Sequence, residues 1–418
     1  MGNPLSEKQC GRSGKFFVAA PTLSASTGAK RRVATPLFLL DAFRPFYLGG
    51  ALVAAISVPL WLGVWRGLSW APDMPGLFWH AHEMVFGFAG AIIIGFLFTA
   101  ARNWTGLPLP AGVPLALLFG LWLAARLAMF FGYGVATAVV DSLLLFVVAV
   151  VLARRFVSAR SWASIPLVVG LLLLASSNIT FHLAMQGWAS VSPLSAVESG
   201  LMWVVLIELI VGARIVPGFS SNSAPGARRW RSVWLERSTL TLATIAFAAD
   251  SFGAPPLVAG SLAAAAGAGL IVQVIGWNPL VARGNPMLWV LHASYSWIPF
   301  GLLLLGLSHF GVVSRSAAIH AFSVGSVGGL IIGMITRTAL GHSGRMVRAG
   351  RVEVAAFLLI ILAAILRVSA ALIPAAYLWG MLAAGAAWTA GFLVYLLSYG
   401  PLLLGVPVAS SRADSAPD

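Results

Sequence analysis

Trp79-His80-Ala81-His82-Glu83-Met84-Val85-Phe86-Gly87-Phe88-Ala89-Gly90-Ala91-Ile92-Ile93-Ile94-Gly95-Phe96-Leu97-Phe98-Thr99-Ala100-Ala101-Arg102 opens on two histidines and a glutamate and closes on an arginine. Between Met84 and Ala101 no residue ionises. A helix needs about 20 apolar residues to cross a bilayer, so the run 80–102 reads as one membrane span. A membrane β-strand would show a short alternating pattern instead, which is absent here. Eleven further runs read the same way: 46–66, 112–131, 133–153, 163–187, 197–217, 237–251, 255–277, 287–308, 317–340, 352–374 and 376–403, of which 237–251 is the shortest. The chain predicts an all-α polytopic membrane helix bundle of about twelve transmembrane helices. Composition agrees, with 59% hydrophobic and only 9% charged residues. A soluble domain carries about 25% charged residues because its surface must face water.

Orientation follows from Lys and Arg. With the N-terminus inside, 20 of them fall in the tails and the inner connections, against only Arg66 and Arg315 outside. Cytoplasmic loops carry this excess, so both termini are expected in the cytoplasm. The net charge of +14 is thereby a topological signal that can touch anionic lipid, and it calls for no nucleic acid. The expected organisation is a disordered N-terminal tail over 1–40, a twelve-helix domain over 41–407 and a disordered C-terminal tail over 408–418. The first 35 residues hold no signal-peptide core. Cys10 is the single cysteine, which excludes an internal disulfide, an iron–sulfur cluster and a thiolate metal site.

Seven histidines, His80, His82, His182, His292, His309, His320 and His342, lie within or at the edges of these runs. Ionisable groups are expensive inside a membrane and mark function there. The expected topology sorts them into an outer group (His80, His82, His182, His309, His320) and an inner pair (His292, His342). Imidazole suits copper, zinc and haem iron. Carboxylates near the outer group are few, Glu83 and Glu198, which favours copper or haem over magnesium or calcium. An outer copper site draws on His80, His82 and His182, with His320 as a further ligand and Met84 and Met185 nearby. On a regular helix His80 and His82 point nearly opposite ways, so the helix is irregular there or the two serve different partners. Haem propionates need cations, and Arg214 and Arg337 toward the inner half are candidates. The plainer readings are hydrogen-bonded packing for any one histidine, an interfacial place for His309, and snorkelling or pairing with Asp141 or backbone for Arg126 and Arg367.

Laying His82 on His320 sets an offset of 238 residues. Gly87 then meets Gly325, Gly90 meets Gly328, Ile93-Ile94-Gly95 meets Ile331-Ile332-Gly333, Ala101 meets Ala339 and Gly106 meets Gly344. These are the second and tenth helices; Leu209 to Arg214 in the sixth resembles them faintly. Three modules of four helices follow, an arrangement reminiscent of the catalytic subunit of haem–copper oxidases. This is a likeness of fold only, since the tenth helix lacks a close histidine pair and the sixth has no histidine.

Phe43-Arg44-Pro45-Phe46, Trp79-His80-Ala81-His82-Glu83-Met84 and Asn103-Trp104-Thr105-Gly106 resemble the NnrS family of bacterial membrane proteins. So do Gly212-Ala213-Arg214-Ile215-Val216-Pro217, Leu288-Trp289-Val290-Leu291-His292 and Thr336-Arg337-Thr338-Ala339-Leu340-Gly341-His342-Ser343-Gly344-Arg345. The resemblance covers roughly residues 40 to 403. It implies a haem- and copper-containing protein of the bacterial inner membrane, linked to nitric oxide in denitrification or nitrosative stress. Haem ligands are then expected among His80, His82, His292, His320 and His342. The resemblance leaves open whether a reaction is catalysed, which histidine holds which cofactor, the electron donor and the oligomeric state. Two readings from other classes stand beside it: a secondary transporter, which twelve spans suit, and a haem or copper assembly factor.

Overall fold

The computed structural model describes residues 35–68, 72–223 and 229–405. Most of the expected tails, 1–34 and 406–418, lies outside the described residues. Within them the secondary structure is helical, without a strand. Twelve helices follow in order: α1 Phe43–Trp65, α2 Gly76–Thr105, α3 Val113–Phe131, α4 Val135–Ser158, α5 Ile165–Met185, α6 Pro193–Ser223, α7 Val233–Ser251, α8 Pro256–Gly276, α9 Pro286–His309, α10 Arg315–His342, α11 Arg351–Leu372 and α12 Tyr377–Leu404. A short 3-10 turn, Leu37–Leu39, precedes α1.

Eleven of the described helices are long and apolar enough to cross a membrane; α7 is the exception. The reason is visible in its sequence, where Glu236, Arg237 and Asp250 sit in the first and last turns. Its 19 residues nonetheless run antiparallel to α8. Thr239 Oγ1 donates to Gln273 Oε1 at 2.8 Å near one end, and at the other Asp250 meets Arg315 and His309.

The local signals that set helix limits are ordinary ones. Pro256 and Pro286 occupy first helical positions, where a missing N–H is harmless. Asn285 and Ser314 cap α9 and α10, their side chains accepting from Met287 N and Ser316 N. Gly106 ends α2 in the left-handed region, at φ +68°.

The three most buried spans are α2, α6 and α10, the second helices of the expected four-helix modules. In their most apolar windows 78% of α2, 72% of α6 and 72% of α10 is buried, against 28–39% for α1, α3, α4 and α11. The outer helices turn Leu117, Val139, Phe146, Leu358 and Ile365 outward. In water such a surface would aggregate; in lipid it is the solvated face.

Two helices depart from α geometry. In α2 residues Glu83–Ala89 form a π-helical segment, and in α10 residues Ala321–Gly328 do the same. Each segment starts at the residue after the paired histidine, His82 or His320. The same offset of 238 carries Val113, the start of α3, onto Arg351, the start of α11. The first and last modules are therefore alike in helix order and in the position of a π-turn, a feature concentrated at functional sites.

Candidate functional site

The first polar centre is built from α2, α3, α4 and α5. His82, the last α-helical residue before the π-turn, is buried with Glu83. Its Nδ1 lies 3.2 Å from Glu83 Oε1. Its Nε2 lies 2.9 Å from Asn178 Oδ1 and 3.1 Å from Asp141 Oδ2. Asp141 Oδ2 also accepts from Asn178 Nδ2 at 2.8 Å and lies 3.0 Å from His182 Nε2. Arg126 closes the network: Nη1 donates to Glu83 Oε1 at 2.6 Å and Nη2 to Asp141 Oδ1. Asn178 and His182 stand four residues apart and so share one face of α5. One donor atom each from His82, Asp141 and His182 falls within 4.8 Å of the others, a group that could hold a metal ion. His182 Nδ1 is buried without a hydrogen-bond partner.

The second centre is a cavity of about 430 Å³ whose walls come from α1, α2, α6, α10, α11 and α12. Most of that lining is apolar, including Trp61, Met84, Met381 and Trp388. His80, His320, Arg367 and Glu198 are its ionisable members, joined by Tyr377. The His80 ring stacks on Trp61 at 5.6 Å and 12°, and its Nδ1 has no hydrogen-bond partner. His320 Nδ1 lies 2.7 Å from the Ser316 carbonyl. As that oxygen can only accept, Nδ1 carries the proton and Nε2 is left with its lone pair.

The four histidines expected around one outer copper thus fall into two pairs on two sides of α2. His82 and His182 share the carboxylate network, while His80 and His320 face the cavity. Met84 lines the cavity as well. The remaining expected residues lie elsewhere. His292 Nε2 is 2.8 Å from Ser220 Oγ; that hydroxyl donates to Val216 O and accepts from the imidazole. His342 is exposed, its ring 5.7 Å from Phe43. Arg214 donates to the Ala163 carbonyl and lies 5.9 Å from the Trp104 ring. Arg337 stands 3.7 Å over the Phe219 ring, a cation–π contact. None of these four lines the cavity.

Asp141, expected only as a partner for Arg126 or Arg367, and Asn178, absent from the expected site, both belong to the first centre. Both are polar residues inside apolar runs, and Asn178 repeats at helical spacing with His182; that was the available signal. Arg367, for which the sequence offers snorkelling or pairing with Asp141 or backbone, reaches the cavity and donates to Ser316 Oγ.

Curated proteins offer no match to this chain. The two histidine centres, the central α2 and α10, and the motifs on them lie within residues 37–406, which match the family described as NnrS protein, and the chain belongs to that family.

Proposed function

We propose that this chain binds haem and copper in the bacterial inner membrane, with both termini cytoplasmic, and there binds or detoxifies nitric oxide at a histidine-ligated metal. The observation that carries the reading is the division of four intramembrane histidines into two donor sets on either side of α2. One is closed and carboxylate-rich; the other opens on a large apolar cavity.

The closed set fits a copper ion. Ligand atoms sharing a first-row ion at roughly 2.0–2.2 Å stand about 3.0–3.5 Å apart. His82 Nε2 and His182 Nε2 lie 3.1 and 3.0 Å from Asp141 Oδ2. Two imidazoles and one carboxylate without thiolate suit copper(II). Glu83 on His82 and Arg126 on the free oxygen of Asp141 orient these donors from outside.

The open set fits haem. Ligand pockets span roughly 300–1,000 Å³ and are mostly apolar with a few placed polar groups. The cavity's volume and walls match that description. His320, its Nδ1 held by Ser316 O, presents the bare Nε2 of an iron ligand, and His80 Nδ1 lacks a partner. Haem iron bound there supplies a redox couple and a coordination site for a diatomic. The chain's own contribution is a water-poor apolar wall through which an uncharged molecule such as nitric oxide can pass.

The test is the absorption spectrum and metal content of protein purified in detergent. A Soret band, stoichiometric iron and copper, and a Soret shift on adding nitric oxide are expected. Protein free of haem and copper after expression with both supplied would refute the reading and turn attention to transport.

A further inference from the structure

The third helix of the first module and that of the last each carry one arginine inside the bundle. Arg126 is in α3 and Arg367 in α11. At the offset of 238, Arg126 falls on Ala364, three residues before Arg367 and therefore on the same helical face. Both reach back to the second helix of their module near its π-turn. Arg126 Nη1 donates to Glu83 Oε1 at 2.6 Å, and Arg367 Nη2 donates to Ser316 Oγ at 3.2 Å.

The two differ in countercharge. Arg126 faces Glu83 and Asp141. The corresponding positions in the last module are Ala321 and Trp379, and among the described residues no carboxylate lies within ion-pair distance of Arg367. Its Nη1 is shielded from solvent and has no hydrogen-bond partner. Tyr377 offers only a ring, 5.9 Å away. Glu198, which also lines the cavity, is held by Arg315 Nε at 2.7 Å. A guanidinium does not lose its proton in a protein, and a shielded, unpaired charge is strongly unfavourable. The anion that the first module supplies from its own chain is missing from the last, and a cavity stands in its place.

We infer that Arg367 takes its countercharge from the occupant of the cavity, which presents a carboxylate to it. Resting on the haem reading above, that carboxylate is a haem propionate. Arg367 then performs the anchoring expected of Arg214 and Arg337, which are engaged by the Ala163 carbonyl and by Phe219. A planar guanidinium suits the task because it meets a carboxylate with two parallel N–H groups.

The experiment reconstitutes the full-length apoprotein with haem and with haem dimethyl ester, whose propionates are uncharged. It compares the unaltered protein with Arg367→Leu, Arg367→Lys and Arg337→Leu. In the unaltered protein and in Arg337→Leu, haem should bind roughly 10- to 100-fold more tightly than its ester, the range for one hydrogen bond to a charged group. In Arg367→Leu the two porphyrins should bind equally, and Arg367→Lys should recover part of the difference. The ester comparison needs no variant, so it stands even if Arg367→Leu fails to fold. A preference for haem that survives in Arg367→Leu overturns the assignment and leaves the haem reading intact. Should the unaltered protein bind neither porphyrin, the haem reading falls. A second arm then follows thermal unfolding with added acetate or nitrite. Stabilisation that disappears in Arg367→Leu supports a free anion as the cavity's occupant, and its absence overturns the anion site as well.

Discussion

Asp141 engages four groups at once: Arg126, Asn178, His82 and His182. In low dielectric such a carboxylate is worth less as net attraction than its removal is harmful, because the partners are left buried and unmatched. Asp141→Ala should therefore lower stability by about 3–5 kcal/mol, while Asp141→Asn, which keeps shape and two polar atoms, should lose less. Thermal unfolding in detergent reads the order, and equal stability of the two variants would refute it. The cavity histidines call for a different readout. His320→Ala and His80→Ala should lower haem content, whereas His309→Ala should not, since His309 Nε2 meets Asp250 at 2.9 Å and lines no part of the cavity. Full haem in both cavity variants would sink the ligand assignment. The opposed directions of His80 and His82 were legible from helix geometry alone. Their partners were not, because the contacts that decide them span 96 residues to Asn178 and cross from one module to another at His320.

At the scale of the element, the runs of apolar residues located the helices, while their ends depended on features a hydropathy reading smooths over. The run 197–217 became Pro193–Ser223, since Ser and Asn residues continue the helix past Pro217. The π-turns had no marker of their own in the sequence, although Gly87 in one matches Gly325 in the other at the offset of 238. A π-turn gives up regular i to i+4 hydrogen bonds, and packing must repay it. Glycine makes that packing possible here. A Cβ on Gly325 would enter the Trp297 ring, and one on Gly328 the Trp388 ring, whereas Gly120 has nothing within 4 Å. Gly325→Ala should consequently destabilise by about 1–3 kcal/mol, the usual result of overpacking. Gly120→Ala, in the middle of α3, should be neutral or slightly stabilising because alanine favours the helix. Thermal unfolding of both variants checks this; a harmless Gly325→Ala would mean that the Trp297 ring is free to move aside.

For the whole molecule, the number of crossings and the side on which the chain's ends lie are one question. Eleven crossings would leave the two ends of the bundle on opposite sides. Yet Arg44 Nη1, in the first turn of α1, donates to the Leu402 carbonyl at 2.7 Å, in the last turn of α12. Both ends of the helical domain therefore share a side, which requires an even number of crossings and makes α7 the expected twelfth. Its charges permit this because they sit at its ends, where ionisable groups find water or an ion pair such as Asp250 with Arg315. The 20 Lys and Arg in the tails and the connections on one side lead us to expect that side to be cytoplasmic, and the single cysteine makes this measurable. Cys10, in the expected cytoplasmic tail, should resist a membrane-impermeant maleimide in spheroplasts and react once the membrane is opened. In a Cys10→Ser background, Trp188→Cys lies in an exposed connection at the opposite end of the bundle and should react in intact spheroplasts. Met346→Cys, exposed at the same end as Arg44, should behave like Cys10. If Cys10 and Met346→Cys labelled from outside while Trp188→Cys did not, the bundle would be inverted and the charge rule would have misled. If Cys10 and Met346→Cys disagreed, an odd number of crossings would lie between them, and the shared side inferred from Arg44 and Leu402 would be wrong.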